Sequence, residues 1–213
     1  MIQTPKPAII RVDDVAPQSW KNGGGQTREL LMWPRVDASW QIRISLADIE
    51  RSGPFSAFPE VERWFAVVEG AGVKLSFTND EKILTRTSAP LCFEGSEPPD
   101  CALMGGPTRD LNLMIRGGAG KMQLALNRLA WRTSATQCGL FTMAAGFIHV
   151  GAKAIEPISP IGPIPAYSLV WFDTAPANPL IFEMLHPSSQ ALGWWLSFTS
   201  AAPRRTGHEY TLA

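Results

Sequence analysis

The residues from Trp20 to Glu29 (WKNGGGQTRE) gather chemical groups that could recognise a small ligand. Three consecutive glycines, Gly23 to Gly25, allow positive φ angles and let the backbone approach a ligand closely. Beside them stand an indole, an amide, a hydroxyl, a carboxylate and two cationic groups. A glycine-rich hairpin tip with solvated charges has the same composition as a ligand site, so this stretch alone leaves both interpretations open.

Cationic side chains recur near the candidate site segments of the first half of the chain: Lys21, Arg28, Arg43, Arg63 and Arg116. Because arginine forks match carboxylates bidentately, a small acidic ligand is the predicted partner, and phosphate would satisfy the same donors. These charges are balanced by three carboxylates: Glu29, Glu62 and Asp110.

Two segments alternate apolar and polar residues with the two-residue period of a half-buried strand. In Trp40–Leu46 (WQIRISL) the alternation puts Arg43 and Ser45 on one face. In Asp110–Arg116 (DLNLMIR) one face is apolar, and the other carries four different groups: Asp110, Asn112, Met114 and Arg116. A thioether in such a row favours a covered pocket over open water. Both polar faces are therefore candidate walls of a cleft, with a solvated outer face as the alternative.

Motifs of metal and cofactor sites are missing from the sequence. A metal site in a small β lobe needs closely spaced histidines and a carboxylate, whereas the three histidines are widely separated: His149, His186 and His208. No Walker A loop, no GxGxxG opening a helix and no GxSxG elbow occurs. We therefore predict no metal and no cofactor.

The composition is that of a turn-rich β protein, since 18 glycines, 18 prolines and 8 tryptophans occur among 213 residues. Basic and acidic residues are equal at 19 each, which gives no electrostatic footprint for nucleic acid or an anionic membrane. Neither is a predicted partner. The N-terminus lacks an apolar signal-peptide core and no apolar run reaches membrane-spanning length, so we expect a cytoplasmic protein.

The three cysteines, Cys92, Cys101 and Cys138, are odd in number and have no CxxC or other metal spacing. That usage is typical of reduced thiols in a cytosol. Each lies among apolar residues, where a thiol is inert. We predict no disulfide and no reactive cysteine.

Short strands and glycine turns divide the chain into two β lobes of similar length. Trp64–Val68 and Val73–Thr78, on either side of the turn Glu69–Gly72, are predicted to form a β-hairpin. Gly117–Gly120 is the predicted boundary between an N-terminal lobe, residues 1–117, and a C-terminal lobe, residues 118–213. The predicted fold class is all-β, with two tandem jelly-roll or β-sandwich lobes.

Five segments resemble the HutD/Ves family in both order and spacing: Trp20–Glu29 (WKNGGGQTRE), Trp40–Asp48 (WQIRISLAD), Gly53–Arg63 (GPFSAFPEVER), Val68–Gly72 (VEGAG) and Asp110–Arg116 (DLNLMIR). The resemblance covers the chain from about Trp20 to Gly117, whereas the second half is similar to the family only in length and β character. It implies a bicupin, two jelly-roll lobes in tandem, which agrees with the two lobes described above.

The resemblance also implies a role linked to histidine utilisation in bacteria. Family members encoded with that pathway look like regulators that bind its intermediate N-formylglutamate in the N-terminal cupin cleft and restrain the pathway. No enzymatic activity is part of what the resemblance implies. The implied partner is a small dicarboxylate, the ligand class that the arginine-rich polar groups indicate independently.

Matched residue by residue, the family motifs supply candidate ligand-binding positions, and no catalytic residue is predicted. The candidates are Lys21, Asn22, Gly23, Gly24, Thr27, Glu29, Arg43, Ser45, Phe55, Phe58, Arg63, Asp110, Asn112 and Arg116.

Two other functions stay open. A metal-free cupin enzyme, an isomerase or hydrolase acting on a small carboxylic acid, would use Glu29, Glu62 or Asp110 as general base if burial raised its pKa. A protein-interaction module would use an aromatic surface that includes Trp194 and Trp195. Assembly into a homodimer is a further arrangement that the sequence leaves open.

Overall fold

Strands make up nearly all the regular structure of the computed structural model, which describes residues 6–34, 40–151, 160–186 and 193–200. Within these ranges the sole helical element is a 3-10 helix of three residues, Val12–Asp14. The predicted all-β class is confirmed. In chain order the strands are β1 (Ala8–Arg11), β2 (Gln18–Ser19), β3 (Gly25–Trp33), β4 (Ile42–Ile49), β5 (Gly53–Pro54), β6 (Glu62–Glu69), β7 (Val73–Ser76), β8 (Glu81–Leu84), β9 (Leu91–Glu94), β10 (Asp100–Leu103), β11 (Thr108–Ile115), β12 (Gly118–Ala125), β13 (Ala130–Trp131), β14 (Gln137–Thr142), β15 (Gly146–Val150), β16 (Ile161–Ile164), β17 (Ser168–Phe172), β18 (Leu180–Met184) and β19 (Gly193–Ser200).

Each lobe of the molecule consists of two antiparallel sheets. In the N-terminal lobe a six-stranded sheet of order β2-β3-β4-β11-β6-β9 faces a four-stranded sheet of order β5-β10-β7-β8. In the C-terminal lobe a five-stranded sheet of order β1-β17-β14-β19-β12 faces a four-stranded sheet of order β13-β18-β15-β16. Most neighbouring strands are distant in sequence, which is characteristic of double-sheet jelly rolls.

The described residues form three apolar cores in this arrangement, one inside each lobe and one between them. The interlobe core packs one face of the six-stranded sheet, including Ile42, Ile44 and Leu46 of β4, against Trp171 and Trp194 of the five-stranded sheet. Since side chains alternate across a strand, the intervening residues of β4 point into the N-terminal lobe. Packing between the lobes therefore determines which β4 residues can meet a ligand.

The predicted hairpin of Trp64–Val68 with Val73–Thr78 is wrong. β6 pairs with β11 and β9, whereas β7 pairs with β10 and β8 in the opposite sheet. The turn between them contains Gly70 at φ +94° and Gly72 at φ +113°, and it takes the chain around a corner of the sandwich. Alternation identifies a strand but does not specify its partner.

The first strand of the chain belongs to a sheet of the C-terminal lobe. β1 pairs with β17 from Ala8↔Trp171 to Arg11↔Ser168. Gly117, at φ +65°, separates β11 of one lobe from β12 of the other. The division into residues 1–117 and 118–213 stays a prediction, and the N-terminal segment joins the two lobes across it.

Trp194 and Trp195 do not form the aromatic surface that the sequence suggested. They are 1% and 2% exposed, Trp194 in the interlobe core and Trp195 in the core of the C-terminal lobe. Trp195 stacks on Trp131 with ring centroids 4.9 Å apart. An interaction surface based on these two residues is therefore excluded.

Cys101 and Cys138 are buried as predicted, but the predicted apolar surroundings of Cys92 are wrong, because it is exposed beside Glu62 and Glu94. Desolvation raises the pKa of all three thiols to about 12, so they are protonated at neutral pH. Across the described ranges, no helix has the length and apolar character needed to cross a membrane.

Candidate ligand-binding site

A cleft of about 440 Å³ lies in the N-terminal lobe, between the six-stranded sheet and the segment that follows β5. Its floor is the inner face of β3, β4, β11 and β6. Arg43 and Ser45 point into the cleft from β4, opposite the residues that enter the interlobe core. The strand predicted at Trp40–Leu46 is confirmed as β4, and its polar face forms part of the cleft floor.

Strand register arranges the side chains of the cleft floor in rows across the sheet. Met114 of β11 pairs with Arg43 of β4 on one side and with Arg63 of β6 on the other. In the next row Asn112 pairs with Ser45 and with Phe65. Neighbouring strands lie about 4.8 Å apart. Each row therefore brings groups from three strands within reach of one small ligand.

Arg63 is a buried cation, with 6% of its surface exposed. Its guanidinium carbon lies 5.2, 5.4 and 5.0 Å from the ring centroids of Phe55, Phe58 and Phe93, respectively, within cation–π distance. One terminal nitrogen donates to the carbonyl oxygen of Ser56 at 3.2 Å, whereas Nε has no hydrogen-bond partner in the part of the chain that the structure describes. Among the described residues, no carboxylate forms an ion pair with this guanidinium.

Arg43 supplies a second guanidinium beside Arg63. Burial, together with the charge of Arg43, lowers the pKa of Arg63 to about 10, so Arg63 remains cationic at neutral pH. Arg43 Nε donates to Glu29 Oε2 at 2.7 Å. Lys21, which lines the same cleft, adds a third cation. Three cations opposed by one carboxylate give the cleft a positive potential that attracts anions.

The glycine turn positions hydrogen-bonding groups at one end of the cleft. Trp20 Nε1 donates to Thr27 Oγ1 at 2.7 Å, so the threonine hydroxyl keeps its own proton for another acceptor. Asn22 Oδ1 accepts from the backbone N–H of Gly24 at 3.0 Å, which leaves the Asn22 amide nitrogen as a donor. The turn thus contributes neutral donors next to the cations.

The structure brings most of the predicted binding residues to the cleft: Lys21, Asn22, Thr27, Arg43, Ser45, Phe55, Phe58, Arg63 and Asn112. Gly23 and Gly24 do not line it but shape the turn that carries Asn22. Glu29 acts on the cleft through its ion pair with Arg43.

Asp110 lies on the same side of β11 as Asn112 but is fully buried and does not line the cleft. Thr108 Oγ1 donates to Asp110 Oδ2 at 2.8 Å, and Oδ1 has no hydrogen-bond partner among the residues described. Burial raises the pKa of Asp110 to about 8, although the hydrogen bond from Thr108 acts to lower it. The carboxyl is therefore mainly protonated at neutral pH and adds little negative charge to the lobe.

Two cations that the sequence suggested near the site lie outside the cleft. Arg116 follows the end of β11, and its guanidinium carbon lies 4.6 Å from the ring centroid of Trp40. Arg28 forms an ion pair with Asp48 at 2.7 Å, and Asp48 also accepts a hydrogen bond from Arg109. Asp48 precedes a cleft-lining residue of β4 and points away from the cleft. Both cations therefore have roles outside the ligand site.

The sequence placed Met114 on a candidate cleft face but did not include it among the predicted ligand-binding residues. Several other lining residues were not predicted: Gln18, Ser19, Trp20, Ala47, Ile49, Pro54, Ser56 and Phe65. Ala47 and Ile49 continue the alternation of Arg43 and Ser45 along β4, and that signal could have found them. Gln18 and Ser19 form an edge strand of two residues, which is too short to show an alternation of apolar and polar side chains.

The carboxylates considered as general bases do not line the cleft. Glu62 instead accepts a hydrogen bond from Trp64 Nε1 at 2.9 Å. In the part of the chain that the structure describes, no group of three or more His, Cys, Asp or Glu residues is placed to hold a metal ion, and His208 lies outside those residues. What faces the cleft is a set of cationic and neutral donors suited to an anion.

Two double-sheet β lobes in tandem, with a polar cleft inside the first, define a β-sandwich protein of the cupin type. The chain belongs to the HutD family, whose model matches residues 12–160. The resemblance inferred from the five motifs is thereby confirmed.

Proteins similar in sequence are consistent with the assignment to this family. Protein Ves of Citrobacter koseri is 30% identical over 137 residues, which cover 64% of this chain and 72% of that protein. A protein of Pseudomonas putida, described as an uncharacterized 21.2 kDa protein in the hutC 3' region, is 35% identical over 109 residues, 50% of this chain and 56% of that protein.

Solved structures support the fold. HutD from Pseudomonas fluorescens SBW25 superposes with a TM-score of 0.75 at 23% identity, covering 92% of this chain and all of that one. A single-substitution variant of the oxalate decarboxylase of B. subtilis, at 9% identity, has a TM-score of 0.59 over 93% of this chain and 78% of its own. At these identities the comparison concerns fold alone.

Proposed function

We propose that this protein is a non-catalytic, HutD-like regulator of histidine utilisation that binds a small acidic metabolite, such as N-formylglutamate, in the N-terminal cleft. The observation that carries the proposal is the buried guanidinium of Arg63, which lacks a carboxylate partner among the described residues. A buried charge without a counter-charge costs on the order of a few kcal/mol. An anionic ligand would supply the missing partner.

The cleft offers complementary groups for each part of such a ligand. Arg63 and Arg43, from opposite sides of Met114, would hold a carboxylate. Thr27, Ser45 and Asn112 provide hydroxyl and amide groups for an amide or a second acidic group. The rings of Phe55 and Phe58 restrict access of water to the guanidinium of Arg63, which strengthens its attraction for an anion.

The link to histidine utilisation is supported by the names of relatives. One related structure is called HutD, and the Pseudomonas putida relative is described by its position next to hutC. Extending that context to this chain is part of the proposal, as is the identity of the ligand.

The proposal is tested by thermal shift of the purified protein with N-formylglutamate, glutamate, urocanate, histidine and phosphate. A ligand at about 100 times its Kd stabilises by about 2.7 kcal/mol. That corresponds to roughly 5–10 °C for a chain of this size. We expect the shift with N-formylglutamate to disappear in Arg63→Met and to persist in Arg116→Gln, which removes a guanidinium outside the cleft.

Two outcomes would contradict the proposal. A shift that is equal in wild type and Arg63→Met would show that the acid binds elsewhere. Conversion of N-formylglutamate or a related acid by the protein, measured by mass spectrometry and lost in Glu29→Gln or Asp110→Asn, would favour the metal-free enzyme instead.

A further inference from the structure

A second, smaller cavity of about 180 Å³ adjoins the cleft at the glycine turn. The two cavities share five wall residues: Trp20, Asn22, Ile49, Pro54 and Phe55. Beyond this shared wall the smaller cavity is bordered by Arg51, Ser52 and Gly24. It is therefore a continuation of the cleft past Ile49, the last residue of β4.

Charge in this region is again positive. Arg51 lines the smaller cavity, and Lys21, which lies in sequence between the shared wall residues Trp20 and Asn22, lines the cleft. Neither side chain forms an ion pair with any carboxylate in the described ranges. The backbone N–H of Arg51 donates to the Gly24 carbonyl oxygen at 3.1 Å, which ties Arg51 to the glycine turn. No acidic residue is among the described residues that line the smaller cavity.

The two groups of cations stand at opposite ends of β4. Arg43 lies near its start, in the row that contains Arg63, whereas Ile49 ends it and Arg51 follows. At about 3.3 Å per residue, the strand from Arg43 to Ile49 is roughly 20 Å long. A five-carbon dicarboxylate held at Arg43 and Arg63 would occupy only part of that length.

The wall between the two ends suits an extended chain. Ala47 and Ile49 of β4, with Phe55 opposite them, present apolar surface, while Thr27 contributes a hydroxyl. Methylene groups of a ligand would be removed from water against this surface, which favours binding. A ligand with acidic groups at both ends and an apolar middle matches this sequence of environments.

We propose that Arg51 and Lys21 form a second anion subsite, so that the cleft selects extended dianionic acids over monoanionic acids of the same chain length. This inference rests on the proposed function, because the first acidic group would be held by Arg43 and Arg63. Both subsite cations are exposed, so solvent screens them and their effect is smaller than that of the buried guanidinium.

The test uses suberate and octanoate, which have the same eight-carbon chain and differ in one terminal carboxylate. Calorimetric titration at low salt compares wild type, Arg51→Gln and Lys21→Gln. Lys121→Gln, an exposed lysine on β12 of the other lobe, is the matched control. We expect suberate to bind wild type more tightly than octanoate, and each subsite variant to reduce that preference by about two- to five-fold. Lys121→Gln should leave it unchanged.

Each alternative result has a distinct meaning. An identical suberate preference in wild type, Arg51→Gln and Lys21→Gln would overturn the subsite, and so would binding of N-formylglutamate without binding of suberate. In both cases loss of N-formylglutamate binding in Arg63→Met would leave the proposed function intact. If no acid binds wild type, the proposed function fails and the subsite fails with it.

Discussion

Arg63 and Arg43 flank Met114 in one row of the six-stranded sheet, and within the described ranges Arg43 has a carboxylate partner whereas Arg63 has none. Arg43 has Glu29 as its partner at 2.7 Å, whereas Arg63 is surrounded by aromatic rings. The two arginines lie two strand spacings apart, roughly 10 Å between Cα atoms. One carboxylate placed above Met114 can therefore contact both side chains.

Replacement of Arg63 by methionine should stabilise the free protein while abolishing acid binding. The change removes a desolvated, unpaired charge and keeps an apolar chain against the phenylalanines. We expect the free energy of unfolding to rise by about 1 kcal/mol or more. Urea denaturation measures it. Arg43→Met is the contrasting variant, because it leaves Glu29 without its partner and should not stabilise. A loss of stability in Arg63→Met equal to that in Arg43→Met would show that the cation is structural.

Neutralising Glu29 should strengthen the binding of an anion. Glu29→Gln removes the carboxylate that opposes the cleft cations, and the glutamine oxygen can still accept from Arg43 Nε. We expect a gain in affinity of about two- to five-fold at low salt, declining as salt is added. Calorimetry with N-formylglutamate at two salt concentrations measures this, and Glu94→Gln on β9 serves as control. Weaker binding in Glu29→Gln would mean that the carboxylate contacts the ligand directly.

The sequence was most informative where a strand is packed on one face and polar on the other. Alternation in Trp40–Leu46 predicted that Arg43 and Ser45 share a face, and in the structure both residues line the cleft. Alternation predicts the face of the sheet on which a side chain lies. It does not predict how deeply that side chain is buried or where the strand ends. Asp110 and Arg116 share the side of β11 that carries Asn112, yet one is buried and the other lies past the strand end.

Contacts between distant segments could not be derived from local pattern. The pairing of β1 with β17 joins residues far apart in sequence, and the apolar stretch around Ile9 does not specify that partner. The aromatic surroundings of Arg63 come from two segments distant in sequence, since Phe55 and Phe58 lie on one loop and Phe93 lies on β9. Nothing in the spacing of these residues indicates that they enclose one guanidinium.

Asp110 should make stability depend on pH. The folded protein keeps this proton up to about pH 8, whereas the unfolded chain loses it near the ordinary value of 3.8. Between these pH values the folded state binds more protons, so the contribution of Asp110 to stability falls as pH rises. Asp110→Asn removes this effect. We expect the Tm of the variant relative to wild type to increase by roughly 7–15 °C between pH 5 and pH 8. Asp100→Asn, exposed on β10, is the control, and a pH-independent difference for Asp110→Asn would contradict the prediction.

The three glycines of the turn should differ in their tolerance of alanine, because they have different structural roles. A Cβ at Gly25 would lie 2.2 Å from the Asp48 carbonyl oxygen, where β3 pairs with β4. The strands would have to separate, at a cost of about 3 kcal/mol or more. Gly23 has open space around it but a φ of +65°, which costs alanine about 1 kcal/mol.

Gly24→Ala should instead affect binding. Its Cβ would lie 3.2 Å from Asn22 Oδ1 and would push that side chain, which lines both cavities. We therefore expect urea denaturation to give the order of destabilisation Gly25→Ala, then Gly23→Ala, then Gly24→Ala. Acid affinity, measured by calorimetry, should fall more in Gly24→Ala than in Gly23→Ala. Equal stability of the Gly25 and Gly23 variants would show that β3 and β4 can move apart at little cost where Gly25 faces Asp48. Equal affinity of the Gly24 and Gly23 variants for the acid would show that Asn22 does not contribute to ligand binding.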